Sequence, residues 1–125
     1  MAAITITNVG LNMMRDSLKA VGSPTITYVA LGTSATAPAA TDTQLGTEVF
    51  REAVTSYANG GATGEILINM YLAPNDIAGT TVQEVGFFGG AATGAANSGT
   101  LLAHGLYSHA HTNLESIQFQ LDLTI

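Results

Sequence analysis

The sequence has no cysteine, only three permanent cations, few charges of either sign, and no long uninterrupted apolar run. The missing cysteines exclude disulfides and thiolate metal ligands and leave the compartment open. Arg15, Lys19 and Arg51 stand against nine carboxylates, for a net charge of −6. That balance cannot build a phosphate-binding stripe, so nucleic acid is not an expected partner. The same sign argues against an anionic membrane surface, and nothing approaches the ~20 apolar residues of a spanning helix, so no membrane insertion is expected. The opening "MAAITITNVG" has neither the basic nor the apolar segment of a secretory signal. Charged residues are 10% of the chain while hydrophobic ones are 46%, a low charge density for a free surface. The reading is that something else covers part of that surface.

With 125 residues, one domain is expected over 1–125. "TNVGLNMMRDSLKAVGSP" (7–24) reads as a short amphipathic helix: Leu11, Met14, Leu18 and Val21 recur at helical spacing, Thr7 or Asn8 can cap it, and Gly22 with Pro24 can stop it. The period then changes to two. "TITYVALG" (25–32) predicts a strand and "ATAPAATDTQLGTE" (35–48) a long loop. "AVTSYANGGATGEILINMYLAP" (53–74) predicts a hairpin turning at "NGG", with Ile66, Ile68, Met70 and Leu72 on one face. "TTVQEVGFFGG" and "GTLLAHGLYSH" make a second pair around "AATGAANS", and "SIQFQLDLTI" (116–125) alternates most cleanly of all. The order lacks βαβ units. The expected fold is therefore mainly β: an antiparallel β-sandwich or compact barrel of five to six strands with one short N-terminal α-helix.

Nucleophile, zinc-protease, P-loop and dinucleotide motifs are all absent, and the glycines of "FFGGAATGAANSGT" read as turn chemistry because no capped helix or lysine follows. No catalytic residue is assigned. Glu84 is the unusual carboxylate, since it sits in "TVQEVGFF" on the face expected to be shared with Val82 and Phe88, where an unpaired charge would be costly. Arg51, the one cation outside the helix, is its expected ion-pair partner. The three histidines fall within "HGLYSHAH". Period two puts His109 and His111 on one face and His104 on the other. Two imidazoles are too few for a zinc site. A metal ion is conceivable only where three copies meet on a three-fold axis and each contributes His109 and His111; otherwise no cofactor is expected.

The succession "TNVGLNMMRDSL", "ITYVALGTSATAPAATDTQLGTEVFREAVTS", "GEILINMYLAPND", "VQEVGFFGG", "LLAHGLYSH" resembles the N-terminal domain of bacteriophage tail-collar fibre proteins and related small tail proteins. In that family a short helix precedes a glycine-ended strand, a Thr/Pro-rich loop, an E-V-x-R segment, a hairpin and an E-V/L-G-F/L strand. The matching positions are Gly32, Glu48, Val49, Arg51, Glu84, Val85, Gly86 and Phe87. The resemblance covers residues 7–109, and its specificity lies in the order of its parts. The histidine cluster lies outside the pattern, and no repetitive fibre shaft follows, so the chain resembles the attachment domain alone.

The resemblance implies a structural virion protein of a phage tail, not an enzyme. Such a protein joins a fibre, spike or neighbouring component to the tail or baseplate, usually as a homotrimer. The expected partners are other copies of itself and other tail or baseplate proteins. Loops on a rigid β frame are where partner contacts concentrate, which selects Thr36, Pro38, Thr41, Asp42, Thr43 and Gln44 in the first loop and Gly90, Thr93 and Asn97 in the second. A capsid decoration or head-associated protein is the alternative. A tail-associated hydrolase is a weaker one, requiring two carboxylates to face each other across a cleft.

Overall fold

The computed structural model describes residues 4–19, 25–112 and, for the backbone, 117–124. One helix, α1 (Asn8–Leu18), and eight strands follow the order β1 (Ile4–Ile6), α1, β2 (Ile26–Gly32), β3 (Glu48–Ala53), β4 (Ser56–Asn59), β5 (Glu65–Leu72), β6 (Thr81–Gly89), β7 (Thr100–Ala110) and β8 (Ile117–Thr124). They form a five-stranded sheet, β1-β7-β6-β2-β3, and a three-stranded sheet, β4-β5-β8. Every pairing is antiparallel. The mainly β class and the single helix hold. The strand count rises from five or six to eight, and no closed barrel forms among the described residues. The two added strands are β1, which is three residues long, and β3, whose "EVFREA" carries three charges and no alternating apolar signal.

Side chains alternate across each strand, and both faces of the large sheet are covered. On one face Val29, Leu31, Val85, Phe87 and Leu102 meet Ile68, Met70 and Leu72 of β5, all fully buried or nearly so. Each such side chain contributes about 1.5–3 kcal/mol when taken out of water. On the opposite face Ala30, Phe88 and Leu101 form a second apolar cluster with Leu45, which comes from a loop rather than a strand. The adjacent Phe87 and Phe88 thus serve different clusters, and the register against β7 shifts between them. From Glu84 to Gly89, β6 is therefore buried on both faces. That is why "VQEVGFF" reads as a near-continuous apolar run around one carboxylate.

The helix starts where Thr7 caps it, its hydroxyl accepting from the Gly10 N–H at 3.0 Å while donating to the Leu101 carbonyl. Thr7 also gives its own N–H to Leu102 at 3.0 Å, so the cap and β7 fix the helix together. A Cβ on Gly10 would lie 2.5 Å from the Leu102 carbonyl oxygen, which explains a glycine in the first turn. Met13 and Met14 pack on the core, whereas Leu11 is 51% and Leu18 90% exposed. The contacting stripe is therefore rotated from the Leu11, Leu18 face expected from the spacing. The expected stop at Gly22 and Pro24 lies outside the described residues.

Candidate functional site

Two loops roof the outer face of the large sheet, and each is held by a buried charge. The first, residues 33–47, leaves the end of β2 and returns as β3. It brings Leu45, 2% exposed, onto Ala30, Phe88 and Leu101. Its two ends converge on Glu84, whose side chain is fully buried. Glu84 Oε2 accepts the N–H of Ser34 at 3.0 Å and of Thr47 at 2.8 Å, and Oε1 accepts the N–H of Gly46 at 2.8 Å. A carboxylate at the centre of three backbone donors replaces the water that it lost on burial. A Cβ on Gly32 would stand 2.3 Å from Glu84 Oε2 and 2.5 Å from the Thr47 carbonyl, so the closure requires glycine there.

A fourth donor comes from β7. His104, 5% exposed at its side chain, places Nε2 3.1 Å from Glu84 Oε1 and Nδ1 2.9 Å from Asp42 Oδ2. Ionised carboxylates only accept, so the ring serves both contacts when each nitrogen carries a proton. The result is an acid–imidazole–acid line running from the strand face to the loop. Asp42 Oδ2 also accepts the Ala39 N–H at 2.8 Å. That amide, and then the His104 contacts, hold the Asp42 carboxyl below its usual value against the opposing effect of burial. A shallow pocket of about 80 Å³ opens beside the line, bordered by Ser34, Thr36, Asp42, Gln44 and His104.

The second loop, 90–99, is held by Arg51. Its guanidinium pairs bidentately with Glu48, Nε to Oε2 at 2.7 Å and Nη2 to Oε1 at 2.8 Å, both side chains 2% exposed. Nη1 donates to the carbonyls of Thr93 at 3.0 Å and Ser98 at 3.1 Å, and to the Ser98 hydroxyl at 3.0 Å. Glu48 Oε1 in turn accepts the Asn97 N–H at 3.1 Å. The guanidinium carbon stands 4.3 Å from the centre of the Phe88 ring, a cation–π contact that lets the charge rest on the apolar cluster.

The Arg51–Glu84 pair expected from the sequence is thus replaced by two separate arrangements. Register is the cause. Arg51 pairs with Ala30, which pairs with Gly86, whereas Glu84 shares the row of Gly32 and Glu48. Glu84 also departs from the expected company of Val82: Val82 joins the core between the sheets, and the β6–β7 register shifts between the two residues. Sequence reasoning missed His104 and Glu48 as the partners. The available signal was a carboxylate in one arm of the β6–β7 hairpin, Glu84, and a histidine near the middle of the other, His104, which pairing brings to neighbouring positions.

The other singled-out residues divide plainly. Thr36, Thr41, Thr43 and Gln44 are exposed, as are Gly90, Thr93 and Asn97, while Pro38 and Asp42 are half-buried. His109 lies on β7, but His111 falls beyond the strand end and is 1% exposed. Its Nε2 donates to the Ala73 carbonyl at 3.0 Å, and its backbone pairs with Gly79 and Thr80. His111 therefore closes the 73–80 turn from inside the subunit, which is poor placement for a ligand on a three-fold axis. Among the described residues no group of three or more His, Asp or Glu side chains is arranged to hold a metal ion.

The hydrolase alternative meets a geometric obstacle at the acid–histidine line. A general base needs a lone pair directed at substrate, and both His104 nitrogens face carboxylates. Glu84 is enclosed by four donors. In this arrangement the line ties the first loop to β6 and β7. No family model, no curated protein and no solved structure matches the chain.

Proposed function

We propose that this chain is a structural protein of a bacteriophage tail, presenting two pinned loops to neighbouring subunits. One observation supports the reading above the others. Four positions of the tail-collar pattern, Gly32, Glu48, Arg51 and Glu84, are among the residues that fix the two loops. The ordered motif is then a recipe for loop shape, which is what an attachment protein requires. Pre-shaped loops lose little freedom on docking, and that lowers the cost of association. The exposed Thr, Ala and Gln of the first loop and Gly, Thr and Asn of the second offer uncharged contact area. In this reading the chain assembles as a homotrimer, with no cofactor, and joins a fibre, spike or baseplate component in the virion.

Immunogold labelling of purified particles with antibodies against the chain provides the test. Gold confined to the tail or baseplate is the expected result. Gold on the head would instead support the decoration alternative, and particles without label would remove the virion reading altogether.

A further inference from the structure

We infer that the free edge of β8 is a self-association surface, pairing antiparallel with β8 of a second copy about a two-fold axis through Leu121. The four sheet edges are unequal. β1 is three residues long, β4 is four, and β3 departs from regular pairing at Gly32. β8 runs for eight residues with an unbroken register against β5, Glu65 to Thr124 through Leu72 to Ile117. Among the described strands it pairs with β5 alone. It also lacks two of the sequence devices that blunt such an edge, since the run 117–125 holds no proline and no lysine. An edge of this length carries a row of backbone donors and acceptors matched only by another extended strand.

The sequence identifies the occupant. Ile117, Phe119, Leu121, Leu123 and Ile125 alternate symmetrically about Leu121. Directly opposed residues of an antiparallel pair share a face. A two-fold axis at Leu121 therefore sets Leu121 against its own copy and Phe119 against Leu123, leaving apolar residues on one face throughout. The same register places Asp122, the one charge in the run, opposite Gln120 of the second copy. Moving the axis by one residue to Asp122 would oppose two carboxylates, which is destabilising. The Leu121 register pairs the whole run 117–125 with itself, apolar against apolar, and opposes no like charges. This contact continues the β4-β5-β8 sheet into a six-stranded one. It uses neither pinned loop and stands independently of the tail reading. In a trimer formed through other surfaces, it would join two trimers.

Light scattering across a dilution series of the purified chain, with two variants of one position, tests the pairing. Wild-type chain is expected to show masses in even multiples of the 12.8 kDa subunit. Gln120→Asp sets a carboxylate opposite Asp122 twice per dimer and should weaken association roughly tenfold, whereas Gln120→Lys should preserve or tighten it. A monomeric wild type, an assembly of three with no even multiple, or two variants that shift association equally would overturn the proposal. Amide exchange supplies a readout that needs no variant. Exchange along β8 should slow as wild-type concentration rises, and protection independent of concentration would also count against it.

Discussion

At the scale of single residues, Glu84 sets the strongest expectation. Replacing it by Gln removes the charge that three backbone amides and His104 converge on, and turns an NH2 group toward two of those four contacts whichever way the amide is flipped. Breaking such a buried arrangement should cost about 3 kcal/mol or more in urea unfolding. Amides of Ser34, Gly46 and Thr47 should become the fastest to gain exchange in that variant. Asp42 gives a prediction in pH. Its carboxyl is held below the value near 3.8 that it has when unfolded, so its contribution is complete above that value and is lost as pH falls through the lower folded one. Asp42→Asn should accordingly lose less stability than wild type between about pH 5 and about pH 3. An equal loss in both chains would show that Asp42 carries none of the acid sensitivity.

Elements show which parts of the structure can be read from the sequence. β2, the β4–β5 and β6–β7 hairpins and β8 could be read because period-two alternation and Gly-rich turns are local signals. β1 and β3 could not, since pairing with distant strands, rather than their own pattern, makes them strands. The loops were legible as loops and not as roofs. Nothing local announces that Leu45 closes an apolar cluster, or that Glu48, three residues before Arg51, takes the guanidinium in place of Glu84. Arg51→Lys tests the second pin. A lysine keeps the charge and loses the bidentate fork together with the Thr93 and Ser98 contacts. Destabilisation of about 2 kcal/mol is expected, given the usual worth of charge-assisted hydrogen bonds. NMR shift changes should concentrate in residues 90–99, and changes centred on 33–47 would contradict the separation of the pins.

The whole molecule uses its scarce charge in an uneven way. Asp42, Glu48, Arg51, Glu84 and His104 are drawn inward to fix the two loops, while Arg15, Asp16 and Lys19 form a salt-bridged group on the exposed side of the helix. A low charge count is thus compatible with strong internal electrostatics, and the sparseness falls on the outer surface. The strand order has a further consequence, in time rather than in energy. β1 pairs with β7, Ile4 opposite Gly105, and the first loop is closed by Glu84 and His104, which are translated far later. Ribosomes add about 5–20 residues per second, so the first loop waits several seconds for its anchors. The nascent chain must carry an open apolar β2 through that interval. Refolding of the complete chain should fall in the millisecond-to-second range typical of non-local β topologies. In the cell, the period before β7 emerges is when this protein would most need a chaperone's shelter.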